Sequence, residues 1–475
     1  MMFENLLTKQ DKLRILIDSE SFDRLLSEKN NVVEKLLEYS NATTFGFVRS
    51  PFDTEHIELA SIAEIKQCYD ENGNLTSVII SKGESKTTVY FYYGMQNIEK
   101  IASKIYGKDS LTKTEIDGIT LVFIQSSLRQ ANVNDLLVTA NDVIIGNRIW
   151  FESHVPGLPV NIVTTDEAIE FMDLFAKFRG AYYIASNGTV TRGHWYLLSF
   201  KTKVPNFQLP WSLVVNKTPF HLDGGLEVLQ GFSNRFTDLL RAVDEIGFQY
   251  YLGANNDILE AMVYHLNYFI TLVTGIFDSL ANLSVIYYNL KIEGVDFDKE
   301  KSMNKITLRK KVGRDFLKQL KVKNHDLSDF IDGNEHFIEL FYPFRESILH
   351  RKRLQQTVFE YHDSEGSWKA NFVEIPEKAV ENINQFDRRQ KHEPLTEWGV
   401  YKLDARTYIE PFHFTKASAR KLAEFCNKYF ELLNFDGLLE MYPEVKGKLE
   451  ENRVSGTNRP FTKELELFEK SHLGF

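Results

Sequence analysis

Hydrophobic and polar positions follow different patterns in the two halves of this 475-residue chain. In the first half, short apolar runs are separated by turn residues, which is typical of strands mixed with short helices. Ile57–Cys68 and Leu75–Ser81 flank a turn from Asp70 to Asn74 and predict a hairpin. The remaining pattern predicts helices at Asn97–Tyr106 and Asp166–Phe178, strands at Thr87–Tyr93, Val143–Phe151, Ala181–Ile184 and His194–Lys203, and one half of a further hairpin at Ile116–Ile124.

From about Gly225 onward, the apolar residues recur with the period of a helix. Pro343 suits the first turn of a new helix, and Thr415 suits the cap of the last one. The pattern predicts helices at Leu229–Ile246, Asp257–Leu290, Met303–Leu320, Asn334–Phe341, Pro343–Gln356 and Lys416–Leu433, a hairpin of Thr357–His362 with Ser367–Glu374, and a strand at Val400–Ile409.

The predicted fold class is therefore α+β. An α+β region with one antiparallel sheet is expected over residues 1–250, a helical bundle with a small β-hairpin insertion over 255–436, and a polar tail over 437–475. Two domains agree with the length of the chain.

The composition places the chain among ordinary globular proteins, with 43% hydrophobic and 26% charged residues. The N-terminus has no uninterrupted apolar run, so no signal peptide is expected. Polar residues such as Asp278 interrupt the most apolar stretch, Leu259–Leu290, so no membrane segment is expected either. The two cysteines, Cys68 and Cys426, form no metal or disulfide motif and suit a reducing cytoplasm; both are predicted to be buried.

The segment FYPFRESILHRKRLQQ contains Arg345 and His350 with four residues between them. Long apolar helices and a basic helix are predicted before it, and a hairpin and a closing helix after it. This arrangement resembles the HEPN superfamily, small helical bundles whose ribonuclease members carry R-x(4–6)-H with a polar residue after the arginine. That residue is Glu346 here, where many members have Asn, Asp or His. The resemblance covers about residues 255 to 436.

Arg345, His350 and Glu346 are the candidate catalytic residues. Histidine titrates near neutral pH and can move a proton when a 2′-hydroxyl attacks the adjacent phosphate. Arginine supplies a fixed cation for that phosphate. Arg345 and His350 lie ~140° apart on a helix, and the resemblance implies that a second subunit completes the groove. Glu346 shares a face with His350 and is predicted to orient its imidazole.

A basic segment precedes this motif. Residues 299 to 323 contain ten basic and two acidic residues, a local charge of +8 in a chain of −10. Such a segment either binds a phosphate backbone or is a solvated helix face. The candidate RNA-binding residues are Lys310, Lys311, Arg314, Arg351, Lys352 and Arg353.

Weaker patterns also occur. Three other pairs fit the same spacing: Arg49…His56, Arg148…His154 and Arg406…His413. Pro51 interrupts the first pair and Pro411 the third, and the second lies in a segment with a strand pattern. Asp53 with Glu64 and Lys66 resembles the spacing of metal-dependent nucleases, which arises easily by chance. No phosphate-binding glycine loop is present, and neither a metal nor a cofactor is expected.

The sequence thus favours a metal-independent endoribonuclease that acts on RNA as a cytoplasmic homodimer. The resemblance implies a role in antiviral defence or as a toxin, with the N-terminal region as a sensor that responds to a regulatory protein or a phage-derived trigger. The rival interpretation is a non-catalytic HEPN-like protein that binds RNA, a nucleotide or another protein. Glu346, in place of the commoner polar residues, favours this rival. A purely structural interpretation of the motif is also open, in which Arg345 pairs with a neighbouring carboxylate and His350 is a surface residue of the bundle.

Overall fold

A computed structural model describes residues 7, 13–18, 44–48, 63–72, 74–82, 84–91, 95–131, 135–148, 150–151, 161–185, 188–215, 224–252, 255–292, 305–349, 354, 356–363, 366–389, 398–403, 406–435, 440 and 443. The chain divides into two compact units. The first comprises Met1–Val190, Tyr251–Ala254 and Phe359–Ala370. The second comprises Thr191–Tyr250, Asn255–Val358 and Asn371–Phe475.

Helices and sheets both occur, which confirms the α+β class in its coarse form. The described elements up to residue 190 are β1 (Leu13–Ile17), β2 (Thr44–Val48), β3 (Ala63–Tyr69), β4 (Leu75–Lys82), β5 (Ser85–Tyr90), α1 (Met95–Tyr106), α2 (Lys113–Gln130), β6 (Leu136–Val138), α3 (Asp142–Gly146), β7 (Ile162–Val163), α4 (Thr165–Phe178), β8 (Tyr182–Ala185) and β9 (Gly188–Val190). Seven strands form one sheet in the order β5-β4-β3-β2-β1-β6-β7, and β8 pairs with β9.

The prediction of an antiparallel sheet in this region is wrong. β1 pairs in parallel with both β2 and β6, and β2–β3 and β6–β7 are also parallel. Within this seven-stranded sheet, the β3–β4 and β4–β5 pairs are antiparallel, and the first of them is the predicted hairpin. Parallel strands are commonly covered on both faces, so they read as continuous apolar runs and lack the alternation that reveals an antiparallel strand. The sequence LRILI of β1, in which four of five residues are buried, is such a run.

Three predicted strand segments are helices instead. Ile116–Ile124 lies in α2, part of Val143–Phe151 lies in α3, and His194–Lys203 lies in the helix Arg192–Lys203. In α2, the Thr112 side chain accepts from the Glu115 amide and the Glu115 side chain accepts from the Thr112 amide, a capping box that starts the helix. Apolar character on all sides concealed the helical period, because residues 118 to 128 are all buried.

Helices dominate the rest of the chain. The described elements are α5 (Arg192–Lys203), α6 (Gln208–Val215), α7 (Leu226–Leu252), α8 (Asn256–Tyr288), α9 (Arg314–Lys323), α10 (His325–Gly333), α11 (Glu335–Leu349), β10 (Gln356–Asp363), β11 (Gly366–Glu374), α12 (Glu377–Arg389), β12 (Val400–Leu403), β13 (Arg406–Ile409) and α13 (Pro411–Leu433). The predicted strand Val400–Ile409 is a pair of strands, and the four strands follow the order β10-β11-β13-β12.

Two helix starts differ from the prediction. The basic helix α9 begins only at Arg314, and residues 305–313 form bends and turns before it. The last helix, α13, begins at Pro411 behind Glu410, whose side chain accepts from the amides of Phe412 and His413. Thr415, the predicted cap, lies inside the helix and donates its hydroxyl to the Pro411 carbonyl. A carboxylate cap followed by proline is an equally good helix start.

The long helix α8 forms the core of the second unit. Phe277 contacts the rings of Phe337 and Phe341 on α11 and of Phe425 on α13. Among the described helices, α8 alone is long and apolar enough to cross a bilayer, but 72% of its most apolar stretch is buried inside the chain. It is therefore a core helix, as found in soluble proteins.

Pro343 lies inside α11 and does not begin a new helix. Proline lacks the amide that would donate to the carbonyl four residues earlier, which belongs to Glu339. The Asn382 side chain of α12 donates to that carbonyl instead, at 3.1 Å. A partner distant in sequence thus satisfies the group that proline leaves open, and the helix continues.

Candidate functional site

Arg345 lies near the end of α11 and faces α8. Its Nη1 donates to Oδ2 of Asp278 at 3.4 Å, and the two side chains are 35% and 34% exposed. Tyr342, three residues earlier on α11, donates its hydroxyl to Oδ1 of the same carboxylate at 3.3 Å. Asp278 therefore connects the motif arginine and a tyrosine of α11 to the middle of α8.

Asp278 is an acidic residue in a largely apolar helix. Burial raises the pKa of its carboxyl above the ordinary value, while Arg345, Tyr342 and Arg235 act in the opposite direction. The ion pair with Arg345 is long and partly solvated, so it contributes no more than about 1 kcal/mol to stability. Replacing this carboxylate by another anion would therefore cost Arg345 little free energy.

Tyr342 is buried beneath Arg309. The guanidinium carbon of Arg309 lies 4.3 Å from the centre of the ring, a cation–π contact. Thr307 places its hydroxyl 3.4 Å from the tyrosine hydroxyl. Burial and the charge of Asp278 raise the pKa of Tyr342, so its hydroxyl stays protonated and keeps donating. Arg309 also donates from Nε to Glu339 at 3.1 Å, which fixes the guanidinium over the ring.

A second arginine approaches Asp278 from α7. Arg235 donates from Nη1 to the Ser279 hydroxyl at 3.0 Å. Its side chain crosses Gly275, where an added Cβ would lie 3.0 Å from the arginine Cδ and Nε. It also lies close to Gly231, where a Cβ would be 3.0 Å from Nη1. Because neither glycine has a Cβ, the Arg235 side chain can pack closely between α7 and α8.

The other motif residues are placed as follows. Glu346 lies 3.6 Å from Arg309 and 3.9 Å from Lys378, so its carboxylate is shared between these two cations. His350, which Glu346 is predicted to orient, and Arg351, Lys352 and Arg353 lie outside the described residues.

The basic segment contains two kinds of cation. Lys310 is paired with Glu335 at 3.2 Å and with Asp332 at 3.8 Å, and Lys321 with Asp329 at 3.3 Å. The other group is exposed and makes no ion pair within the part of the chain that the structure describes: Lys311, Arg314, Lys318 and Lys323. Of the three predicted RNA-binding residues in this segment, Lys311 and Arg314 thus carry unneutralised charge and Lys310 does not.

The alternative motif strings are placed differently. Arg148 is bound by both carboxylate oxygens of Glu167, and Arg406 by Glu374 at 3.1 Å. Among the described residues, no group of three or more His, Cys, Asp or Glu side chains is arranged to hold a metal ion. Asp53 lies outside them. Burial raises the pKa of the Cys426 thiol well above its ordinary value, whereas Cys68 is only half-buried, against the prediction.

No family model, curated protein or solved structure matches this chain. The site is therefore interpreted from its own geometry. Sequence reasoning missed Arg235, Asp278, Arg309 and Tyr342 as members of the cluster around Arg345. One signal was available, because Asp278 interrupts the most apolar stretch of the chain, and an acid in such a position needs a partner.

Proposed function

We propose that this protein is a metal-independent endoribonuclease of HEPN type. The observation that supports it most is the state of Arg345, which is oriented yet partly exposed. Within the described residues, it makes a single long hydrogen bond, to Asp278, and its side chain is 35% exposed, which suits an arginine that receives a phosphate. Arg235 and Arg309 lie beside the same Asp278–Tyr342 pair, so positive charge converges on one place.

In the proposed reaction, His350 takes the proton of a ribose 2′-hydroxyl, and the resulting oxygen attacks the adjacent phosphorus. The bond to the 5′-oxygen breaks, that oxygen receives a proton, and the products are a 2′,3′-cyclic phosphate and a 5′-hydroxyl. Arg345 neutralises the charge that grows on the phosphate oxygens in the transition state. Water is not consumed, and the charge stabilisation comes from side chains of the protein.

The test is incubation of total RNA with the wild type, with His350→Ala and with Arg345→Ala, each in the presence of EDTA. The wild type should cut RNA and leave cyclic phosphate ends, and both variants should lose cleavage while staying folded. Arg406→Ala is the matched control. It truncates an exposed, paired arginine of Arg406…His413, which has the motif spacing but is not the candidate site. Cleavage that requires a divalent cation, or that survives in both motif variants, contradicts the proposal.

The second candidate function is a non-catalytic HEPN-like protein that binds RNA, a nucleotide or a partner protein. Two pairings favour it. Arg345 pairs with Asp278, as expected if the motif is structural. Glu346 pairs with Arg309 and Lys378, and a carboxylate held by two cations is less suited to orient His350. RNA binding without cleavage under all conditions of the test would select this candidate.

We further propose that the active form is a cytoplasmic homodimer whose N-terminal region restrains the site until a regulatory protein or a phage-derived molecule acts on it. Arg345 and His350 diverge on one helix, so two subunits about a two-fold axis make a better phosphate clamp. Mixing Arg345→Ala with His350→Ala subunits should then restore part of the activity. A monomer that cuts RNA would contradict the composite site.

A further inference from the structure

Two tyrosines are exposed on α8, on the side of the helix that carries Asp278. Tyr264 is 70% exposed and Tyr268 is 45% exposed. At ~100° per residue, positions 264, 268, 271, 275 and 278 fall within an arc of about 80°. Large aromatic rings held outward on a core helix form an exposed apolar surface that needs an explanation. The tyrosines and the Arg345 contact therefore lie along one stripe of α8.

The rings are held by their surroundings. Tyr268 donates its hydroxyl to Asp238 of α7 at 3.2 Å, and Tyr264 lies edge-on to the ring of His265 at 5.2 Å between centres. The helix that carries them is buried on its opposite face by Met262, Leu266 and other core residues. Both rings are therefore presented to solvent by a rigid support, which reduces the entropy lost when a flat ligand stacks on them.

Arginines of α7 accompany this stripe. Arg241 is about half exposed, and Arg235 lies over Gly275, between the tyrosines and Asp278. Two acidic residues beside the stripe are paired: Asp238 accepts from Tyr268, and Glu245 pairs with Arg192 and, at 3.9 Å, with Arg241. Asp257 and Glu260 are exposed on the same arc at the N-terminal end of α8. The stripe therefore carries no excess of positive charge, and aromatic surface is its main binding feature.

The dimensions suit a short nucleic-acid strand. At ~1.5 Å per residue, Tyr264 lies about 21 Å along the helix from Asp278. That length corresponds to about six nucleotides at the stacked spacing of ~3.4 Å. Sequence-tolerant binding of single strands combines such aromatic platforms with arginines along the backbone, and it requires unpaired bases.

We propose that Tyr264 and Tyr268 form a base-stacking platform for single-stranded RNA, which passes Arg235 and reaches Arg345. This inference rests on the proposed ribonuclease function and adds to it the preference for unpaired bases and the residues that recognise them. A base-paired segment cannot lay successive bases on the two rings, so duplex RNA is excluded from this path.

The test is fluorescence anisotropy with a labelled single-stranded RNA and a duplex of the same length, in EDTA, with His350→Ala as the background to prevent cleavage. The background protein should prefer the single strand. Adding Tyr264→Ala and Tyr268→Ala should weaken single-strand binding tenfold or more, as expected from the stacking of each base. The matched control, Tyr264→Phe with Tyr268→Phe, keeps both rings and should keep the affinity.

The outcomes separate the two proposals. If the background protein binds no RNA, the proposed function fails and this inference fails with it. If it binds RNA and the alanine pair binds equally well, this inference alone is overturned. Light scattering of the same samples gives the third outcome: if the alanine pair converts a dimer to a monomer, the stripe is a subunit interface and the platform is overturned. Thermal melting should show that all variants stay folded, with a small loss of stability in those that lack the hydrogen bond from Tyr268 to Asp238.

Discussion

The two basic regions of the second unit differ in how their charges are neutralised. Around α11, Arg345 is paired with Asp278, and Arg309 with Glu339 and Glu346. Along α9 and the turn before it, Lys311, Arg314, Lys318 and Lys323 are exposed and, within the described residues, unpaired. One region has few cations with fixed positions, and the other has many cations with few constraints.

Under the proposed function, this difference implies different roles for the two regions. An unpaired surface lysine attracts counterions that are released when a phosphate binds, so it adds affinity that depends strongly on salt. An arginine held by a carboxylate adds less affinity, but its direction is fixed in advance, and fixed direction is what lowers a reaction barrier. Charge density alone would favour α9 as the site of the proposed chemistry, whereas the pairing of the cations favours α11.

The largest expected effect comes from measuring cleavage rate and RNA affinity separately for variants of α11 and of α9. Arg345→Ala should lower the rate at saturating RNA about 100- to 1,000-fold, because one preorganised donor to the transition state is lost. Neutralising Lys311, Arg314 and Lys318 to Gln should raise the RNA concentration needed for half-maximal rate and leave the maximal rate within about twofold. Single-turnover cleavage over a range of protein concentrations distinguishes the two effects. A large drop in maximal rate for the glutamine triple would contradict the division of tasks.

Salt dependence sharpens the same comparison. For single-stranded RNA, each lost phosphate contact reduces the slope of log affinity against log salt by about 0.7, so the glutamine triple should reduce it by about 2. Lys310→Gln is the matched control, because Glu335 and Asp332 already neutralise that lysine. Its slope should match that of the wild type. Equal slopes for the triple and the wild type would leave the α9 cations as a solvated helix face.

A third prediction concerns the support of the motif helix. Asn382→Ala leaves the Glu339 carbonyl without its donor and should lower the free energy of unfolding by about 1–2 kcal/mol. In a Pro343→Ala background, the alanine amide can donate to that carbonyl, and the loss should fall below about 0.5 kcal/mol. Urea unfolding of both single variants and the double variant measures this coupling. If the two substitutions change the free energy of unfolding additively, the Asn382 side chain does not replace the hydrogen bond that Pro343 cannot make.

The smallest expected effect concerns Asp278. Burial raises the pKa of this carboxyl above 3.8, so its ionisation is less favourable in the folded protein than in the unfolded chain. The wild type should therefore lose stability relative to Asp278→Asn as pH rises from about 4 through the raised pKa, with a constant difference above it. We expect less than about 1 kcal/mol, since the site is partly solvated. Thermal melting from pH 3.5 to 8 measures the trend, and a stability difference that stays constant, or that shifts in favour of the wild type, as the pH rises would contradict it.

Local signals in the sequence predicted much of the fold. The hairpin of β3 and β4 follows from the turn at Asp70, and α7, α8 and α13 follow from helical periodicity. The parallel pairing of β1 with β2 and β6 could not be predicted in this way. Parallel strands are joined through distant segments, and neither turn residues nor alternation reports which strands are neighbours.

The candidate site was predictable only where one element contains it. Arg345, Glu346 and His350 are close in sequence, so a motif can reveal them. Asp278 and Arg235 come from other helices, and only the packing of α7, α8 and α11 brings them to Arg345. The division of the basic segment into paired and unpaired cations depends likewise on carboxylates of α10 and α11.

The complete burial of residues 118 to 128 of α2 has a consequence for how this chain tolerates change. On α8, positions outside the proposed platform such as Asp257, Glu260 and Thr271 are exposed to solvent, so several of its turns offer a position that accepts substitution. Between residues 118 and 128 of α2 no turn offers such a position, and even Gln125 and Ser126 are buried. Substitutions in this segment should therefore be rare and without helical periodicity, whereas on α8 they should be confined to exposed positions outside the proposed platform.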